Sequence, residues 1–247
     1  SADRKPDAIM GTKLSAHPAI KWLFEQRYPP ILDYINGCLS LAKPNPNPTE
    51  LRQAEIQILK SMQDWLIYVL DPARYDQLDF LKWDDASLLE MADYEDKIVL
   101  DIGSGTGRLA FTVAPFAQVV YAVEPVANLR SYLWQKRSEL SIENVYPLDG
   151  KIDQIPFPDN FADIVMNGHV FGDNPSEEYR EMQRVVRDGG LILVHPGASA
   201  HSEEGAHRFL ISNGFEYGTF TEPVDGVKRK YKKVIQKFNE GQETTPC

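Results

Sequence analysis

The residues best suited to chemistry lie in a glycine-rich turn within residues 98–110. Apolar residues lead into Asp101, and glycines follow at positions 103, 105 and 107, before a segment typical of a helix. Because glycine has no Cβ, such a turn bends sharply and lets the backbone approach a ligand, and the free amides that open the next helix favour negative charge. The turn therefore predicts a site for a nucleotide-like ligand.

The spacing of the glycines separates two kinds of nucleotide site. A dinucleotide fingerprint has glycine at its first, third and sixth positions. Counted from Gly103, the sixth position is Arg108, whereas the third and fifth are Gly105 and Gly107. The spacing therefore disfavours an NAD-dependent oxidoreductase.

Acidic residues follow the next two predicted strands. Glu124 ends the apolar run 119–123, about 20 residues after the first glycine, where a carboxylate accepts hydrogen bonds from ribose hydroxyls. NAD-binding proteins share this feature, so Glu124 predicts an adenosine-containing ligand without choosing between cofactors. Asp149 and Gly150 directly follow the third predicted strand, at residues 145–147.

Together these residues resemble motif I and the later acidic positions of class I S-adenosylmethionine-dependent methyltransferases. The likeness covers residues 96–194 and is to the broad family of small-molecule methyltransferases that includes the quinone-biosynthesis C-methylases. Residues 155–165 resemble the family's approach to its fourth strand, and residues 184–193 resemble its turn into the fifth. Two departures are a longer gap after Asp149 and Ala162, which separates a Phe and an Asp that commonly adjoin.

The resemblance implies a fold, a cofactor and a binding site. The fold is an α/β, Rossmann-like, seven-stranded and mostly parallel sheet with an antiparallel last strand, and the cofactor is S-adenosyl-L-methionine. Asp149 would accept a hydrogen bond from the adenine amino group, and Asp101 would both fix the glycine turn and reach the ammonium group of the cofactor. The expected cofactor contacts are Asp101, Gly103, Ser104, Gly105, Gly107, Glu124, Asp149, Gly150 and Asn167.

His169 is the candidate general base. It follows the fourth predicted strand, at residues 164–167, and a neutral imidazole near pH 7 can take the proton of an acceptor as a methyl group arrives. The competing interpretation is that His169 contacts only backbone or solvent, because methyl transfer can rest chiefly on holding the acceptor in line with the methyl group.

More histidines follow the fifth predicted strand, at residues 191–194. His195, His201 and His207 lie near two glutamates, Glu203 and Glu204, but we predict no metal site there. Since His195 leads into a Pro-Gly pair at the expected ligand edge of the sheet, a place in the substrate pocket is the preferred interpretation.

The domain organisation is predicted as an N-terminal helical extension at 1–95, a methyltransferase domain at 96–238 and a polar tail at 239–247. The extension is expected to act as a lid or a dimer surface, so a homodimer stays open. The domain is expected to end in a helix at 206–212 and an antiparallel hairpin of strands at 215–221 and 228–237.

Within the extension, two short helices are expected around a Pro-Pro break in residues 20–35. Their aromatic residues are interpreted as core rather than as an acceptor lid. A proline-rich linker at 43–48 precedes a long amphipathic helix, which Thr49 is expected to cap and which ends at Asp71 and Pro72. The aromatic residues concerned are Trp22, Phe24, Tyr28 and Tyr34.

The charge of the chain limits the classes of partner that we expect. The 247 residues carry a net charge of −10, which disfavours unspecific attraction to phosphate backbones, so we expect no nucleic-acid partner and predict a small-molecule methyl acceptor. The basic stretch 228–233 alternates with apolar residues and is interpreted as a solvated outer strand, since lysines keep an edge strand from pairing with another chain.

The cysteines and the hydropathy indicate the cellular compartment that we expect for the protein. Cys38 and Cys247 lie far apart and show no disulfide or zinc spacing, and no apolar run reaches the roughly 20 residues of a membrane span. A cytoplasmic protein without a membrane partner is expected. The alternatives left open are a non-catalytic S-adenosylmethionine-binding protein and a methyltransferase that acts on tRNA or protein.

Overall fold

The computed structural model describes residues 5–27, 29–61, 63–197 and 205–237. The chain divides into two compact units between Ile67 and Tyr68. The predicted organisation, with a boundary at residue 96, stays a prediction, and residues 68–95 belong to the larger unit.

The smaller unit is helical. Its helices are α1 (Ala8–Ser15), α2 (Pro18–Arg27), α3 (Leu32–Ser40) and α4 (Pro48–Ser61). The two short helices predicted around the Pro-Pro break are confirmed as α2 and α3. The core expectation is wrong for Trp22 and Phe24, which expose 60% and 38% of their surfaces. Tyr34 is half-buried, and Tyr28 lies outside the described residues.

Asn47, not Thr49, caps α4. The Asn47 side chain accepts a hydrogen bond from the Glu50 amide at 3.0 Å, and the Glu50 carboxylate accepts one from the Asn47 amide at 3.0 Å. Pro48 takes the first helical position, where its missing N–H costs nothing, so the cap falls one residue before it. The long predicted helix is helical at 48–61 and again in α5 (Gln63–Leu70), while Met62 lies outside the described residues.

Short helices connect α5 to the sheet. They are α6 (Pro72–Tyr75), a 3₁₀ turn at Asp79–Leu81 and α7 (Ala86–Leu89). The predicted stop at Asp71 and Pro72 is confirmed, because the Asp71 side chain accepts from the Arg74 amide at 3.1 Å and starts a new helix.

The described part of the larger unit holds one seven-stranded sheet in the order β3-β2-β1-β4-β5-β7-β6. The first five strands pair in parallel, and β7 is antiparallel to both β5 and β6. The predicted fold class is confirmed. The strands are β1 (Ile98–Ile102), β2 (Val119–Val123), β3 (Val145–Leu148), β4 (Ala162–Asn167), β5 (Val186–Val194), β6 (Glu216–Glu222) and β7 (Gly226–Val234).

Helices cover both faces of the sheet. Successive residues of a strand point to opposite faces, so Val99 joins one apolar cluster with α8 (Arg108–Val113) and α9 (Ala127–Glu139). Leu100 joins a second cluster with α10 (Pro175–Val185) and α11 (Gly205–Ser212). Burial on both faces explains why the parallel strands are apolar almost throughout.

The basic stretch is an internal strand, which corrects the prediction of an outer one. β7 lies between β5 and β6, and its lysines have specific partners. Lys230 donates to the Ser87 carbonyl at 2.9 Å, and Lys233 donates to the Tyr179 hydroxyl at 2.6 Å. The charges are therefore partly buried and paired rather than solvated.

No helix in the described part of the chain combines the length and the apolar character that a bilayer crossing requires.

Candidate cofactor and acceptor site

The glycine turn lies at the carboxyl ends of β1 and β2, the edge where open α/β sheets bind ligands. Gly103, Gly105 and Gly107 have φ angles of 70°, 56° and 82°, in the left-handed region that favours glycine. A Cβ at Gly103 would lie 2.4 Å from the Val170 side chain, so no larger residue fits that turn. Ser104 is buried, and its hydroxyl donates to the Asp101 carbonyl at 2.7 Å.

Glu124 brings a buried carboxylate to this turn. Its side chain is 2% exposed. One carboxylate oxygen accepts from the Gly105 amide at 2.9 Å, and the other accepts from the Val126 amide at 2.8 Å. Burial raises the pKa of Glu124, and the two amide hydrogen bonds oppose that shift. The structure thus joins the predicted ribose acceptor to the predicted glycine turn.

Asp101 lies behind the turn and is 1% exposed. Its Oδ2 accepts from the Ala110 amide at 3.0 Å, which ties the strand to α8. Its Oδ1 is buried and has no hydrogen-bond partner among the described residues. Burial raises the pKa of Asp101 to about 7. An unsatisfied buried carboxylate oxygen is a ready acceptor for a ligand ammonium group.

Asp149 lies at the same edge, at the end of β3, and is exposed. It pairs with Arg130 at 3.2 Å, and the same guanidinium donates to the Glu124 carbonyl at 2.8 Å. Arg130 therefore links the predicted adenine and ribose positions. Gly150 is needed for packing, because a Cβ there would lie 2.7 Å from both Val123 and Pro156.

Asn167 pairs with Ile102, which directly precedes the glycine turn, and its Oδ1 is buried without a hydrogen-bond partner among the described residues. Its side chain is fully buried, and its Nδ2 lies 3.4 Å from the Met182 sulfur, within the core under α10. Residue 166 points to the opposite face and joins the other apolar cluster. The predicted cofactor contact of Asn167 stays a prediction.

His169 lies at the end of β4 with its side chain exposed and its φ at 62°. A cleft of about 180 Å³ opens beside it, and Phe171, Pro196 and His207 also line that cleft. The pKa of His169 is lowered, first by partial desolvation and then by the Lys228 ammonium group. The lowered pKa keeps the imidazole neutral at pH 7.

His195 does not reach the pocket, which corrects the preferred interpretation. Its ring is fully buried, stacks on Phe220 with centroids 4.4 Å apart, and its Nε2 lies 2.9 Å from the Ser87 hydroxyl. Burial lowers its pKa to about 3, so it is a neutral core side chain. The residues next to His195 in the chain, Val194, Pro196 and Gly197, line the cleft instead.

Across the described ranges no group of His, Cys, Asp or Glu side chains could hold a metal ion. His207 instead shares a hydrogen bond with the Tyr231 hydroxyl at 2.9 Å. His201, Glu203 and Glu204 lie outside the described residues.

Residues 68–85, which we name the strap, supply side chains that sequence reasoning missed. Tyr68 donates to Glu124 at 3.4 Å. A series of ring contacts then runs from Tyr68 through Tyr75 and Phe80 to His169, with centroid distances of 4.8, 5.5 and 6.3 Å. The available signal was the density of aromatic residues just after the helix stop at Asp71.

The strand order of the sheet defines an α/β fold with methyltransferase topology. Residues 100–194 match the family model described as a methyltransferase domain. A solved S-adenosylmethionine-dependent methyltransferase from Aquifex aeolicus has a TM-score of 0.54 at 21% identity, over 67% of this chain and 100% of that one.

Curated relatives agree on the class. An uncharacterized methyltransferase of Anoxybacillus flavithermus is 27% identical over 56% of this chain and 63% of its own length. A demethylmenaquinone methyltransferase of Geobacillus sp. is 34% identical over 46% of this chain and 50% of its own length. The chain thus spans only about half to two thirds of the length of these relatives. The comparisons thus identify a methyltransferase domain within residues 100–194.

Proposed function

We propose that the chain binds S-adenosylmethionine and transfers its methyl group to a small-molecule acceptor by direct displacement. The observation that carries the proposal is the buried carboxylate of Glu124, held by the Gly105 and Val126 amides over a turn of left-handed glycines. A carboxylate in that place accepts hydrogen bonds from ribose hydroxyls.

The remaining residues fit the other end of the same ligand. The unsatisfied Oδ1 of Asp101 would accept from the ammonium group of the methionine part. Asp149 would accept a hydrogen bond from the adenine amino group, which would weaken its ion pair with Arg130. When bound, S-adenosylmethionine supplies an electrophilic methyl group on a sulfonium centre.

The chain's own contribution to the rate is mainly positioning. We propose that the strap and the end of β4 hold an acceptor near the methyl group and exclude water, and such positioning can supply several orders of magnitude in rate. We assign His169 the role of taking the acceptor's proton as the new bond to carbon forms. Its lowered pKa leaves it neutral and able to accept a proton at pH 7.

A small molecule is the proposed acceptor. The net charge of −10 offers no general attraction to nucleic acid, and the cleft beside His169 is small, at about 180 Å³. The name of the Geobacillus relative makes demethylated quinones the first acceptors to test.

Calorimetric titration tests the cofactor. We expect micromolar binding of S-adenosylmethionine and S-adenosylhomocysteine to the wild-type protein, no comparable binding of NAD, and a loss of at least ten-fold in Glu124→Gln. Glu143→Gln removes an exposed carboxylate of the same kind and should bind as the wild type does. NAD binding alone, or unchanged affinity in Glu124→Gln, would overturn the assignment.

Labelled methyl transfer tests the acceptor. Turnover on small molecules that falls about 100-fold in His169→Asn would support both the acceptor class and the base. Turnover only on tRNA or protein would sink the small-molecule assignment. Tight cofactor binding without turnover on any of the three classes would favour a non-catalytic binding protein.

A further inference from the structure

The Glu124 carboxylate has a limited number of acceptor positions. An ionised carboxylate offers about four lone-pair sites. The Gly105 and Val126 amides occupy one on each oxygen, at 2.9 and 2.8 Å. Two sites remain, which is the number that the two hydroxyls of a ribose need.

Tyr68 already occupies one of these two sites. Its hydroxyl donates to Oε2 of Glu124 at 3.4 Å, the same oxygen that accepts from Gly105. The phenol also lies directly over the glycine turn, because a Cβ built on Gly105 would be 3.2 Å from the Tyr68 oxygen. Burial and the neighbouring Glu124 raise the pKa of Tyr68, so its hydroxyl stays a donor at physiological pH.

We propose, resting on the nucleoside site of the proposed function, that Tyr68 limits how strongly Glu124 selects for a ribose hydroxyl: its own hydroxyl stands in for that group on Glu124, and an incoming ligand displaces it. The geometry supports displacement rather than joint binding. The Gly105 amide and the Tyr68 hydroxyl fill both lone-pair positions of Oε2, so a ribose hydroxyl can reach that oxygen only by replacing Tyr68.

The ring of Tyr68 does not depend on this hydrogen bond for its place. Its edge packs on Tyr75. The next residue is held from α9, where the Asn128 side chain donates to the Val69 carbonyl at 2.6 Å. Further along the strap, Asp76 accepts from Lys136 at 2.6 Å and from Tyr132 at 2.9 Å. Tyr68→Phe should therefore keep the ring in place and remove the hydroxyl that donates to Glu124.

The effect of removing the Tyr68 hydroxyl on affinity should therefore depend on whether the ligand carries the ribose hydroxyl. In the wild type, the ribose hydroxyl that replaces Tyr68 exchanges one hydrogen bond for another and adds little affinity. In Tyr68→Phe the acceptor site is bare before the ligand arrives, so the same hydroxyl gains a full net hydrogen bond. That gain corresponds to roughly five-fold in affinity.

The experiment compares S-adenosylhomocysteine with its 2′-deoxy and 3′-deoxy counterparts by calorimetry on wild type and Tyr68→Phe. We expect S-adenosylhomocysteine to bind roughly five-fold more tightly to Tyr68→Phe, and one of the deoxy ligands to bind both proteins within two-fold. Tyr146→Phe, which removes an exposed phenol oxygen from β3, is the matched control and should change none of these affinities.

Equal or weaker binding of S-adenosylhomocysteine to Tyr68→Phe would overturn the proposal, since Tyr68 would then be neutral or would support the ligand. An equal gain for all three ligands would also overturn it, because the gain would not be tied to a ribose hydroxyl. Failure of the nucleoside site itself would appear separately, as undiminished binding to Glu124→Gln.

Discussion

Asp101 combines two properties that oppose each other in a folded chain: a role that needs negative charge and a fully buried position that disfavours it. Burial raises its pKa to about 7, from 3.8 in an unfolded chain. Between those values the folded, ligand-free protein holds a proton that the unfolded chain releases, so this group's contribution to stability falls as pH rises through that window. A ligand ammonium group would reverse the balance by favouring the charged form.

We therefore expect the affinity for S-adenosylhomocysteine to fall as the pH is lowered from 8 to 6. The ligand's amino group stays charged over this range while Asp101 takes up a proton, so the loss approaches ten-fold per pH unit below about 7. Calorimetry at several pH values, in buffers of different ionisation enthalpy, would also detect the proton released on binding at pH 6.

Asp101→Asn is the matched variant for this prediction. It keeps an oxygen for the Ala110 amide but cannot ionise, so it should bind more weakly at pH 8 and show little pH dependence. An unchanged pH profile in Asp101→Asn would mean that another group causes the effect.

Single residues also show what a sequence reveals about a site. Glu124 was predicted from its place after the second strand and Asp101 from the family resemblance, and both lie at the glycine turn. Tyr68 was not, because a tyrosine in an amphipathic helix fits the apolar pattern equally well. His195 was misjudged for a related reason: it is its partners Ser87 and Phe220, distant in sequence, that bury it.

At the scale of elements, Arg108 explains how the strap is fastened. Its guanidinium donates to the carbonyls of Leu81 and Trp83 at 2.7 and 2.6 Å, pairs with Asp85 at 2.6 Å and lies 3.9 Å from the centre of the Trp83 ring. The residue that breaks the dinucleotide fingerprint thus has a structural use of its own, at the first turn of α8.

We expect Arg108→Ala to lower the free energy of unfolding by about 2–4 kcal/mol, because it leaves two carbonyls without a charged donor and removes the contact with Trp83. Arg108→Lys should recover only part of the lost free energy of unfolding, since an ammonium group cannot make the same forked set of hydrogen bonds. Urea unfolding measures both. Arg180→Ala, which breaks an exposed pair at 3.9 Å, is the control and should cost less than about 0.5 kcal/mol. A similarly small loss for Arg108→Ala would contradict the fastening role.

The bounds of strands were predicted well where the local apolar pattern sets them. The position of a strand within the sheet, which depends on topology, was predicted less well. β2 and β3 lie within one residue of their predicted bounds, because burial on both faces leaves little room for polar residues. β4 and β5 begin earlier than their apolar runs predicted, at Ala162 and Val186. β7 was placed at the edge on its alternating lysines, although it lies inside the sheet. The partners that accept hydrogen bonds from these lysines, such as Ser87 and Tyr179, are remote in sequence and so cannot be predicted from the pattern of the strand.

At the scale of the molecule, the proposed binding site gathers distant parts of one unit. Glu124 at the end of β2 contacts both the glycine turn and Tyr68, and Phe80 of the strap contacts His169 after β4. A ligand that contacts all of them in the folded state and none in the unfolded state must stabilise the whole cooperative unit.

We expect S-adenosylhomocysteine at 100 times its dissociation constant to add about 2.7 kcal/mol to the free energy of unfolding. For a unit of this size that corresponds to a rise in melting temperature of roughly 5–10 °C. Scanning calorimetry with increasing ligand measures the rise, which should continue with the logarithm of concentration. NAD at the same concentration should produce no rise, and Glu124→Gln should show a much smaller one. A rise that survives in Glu124→Gln would place the ligand away from the glycine turn and require a different site.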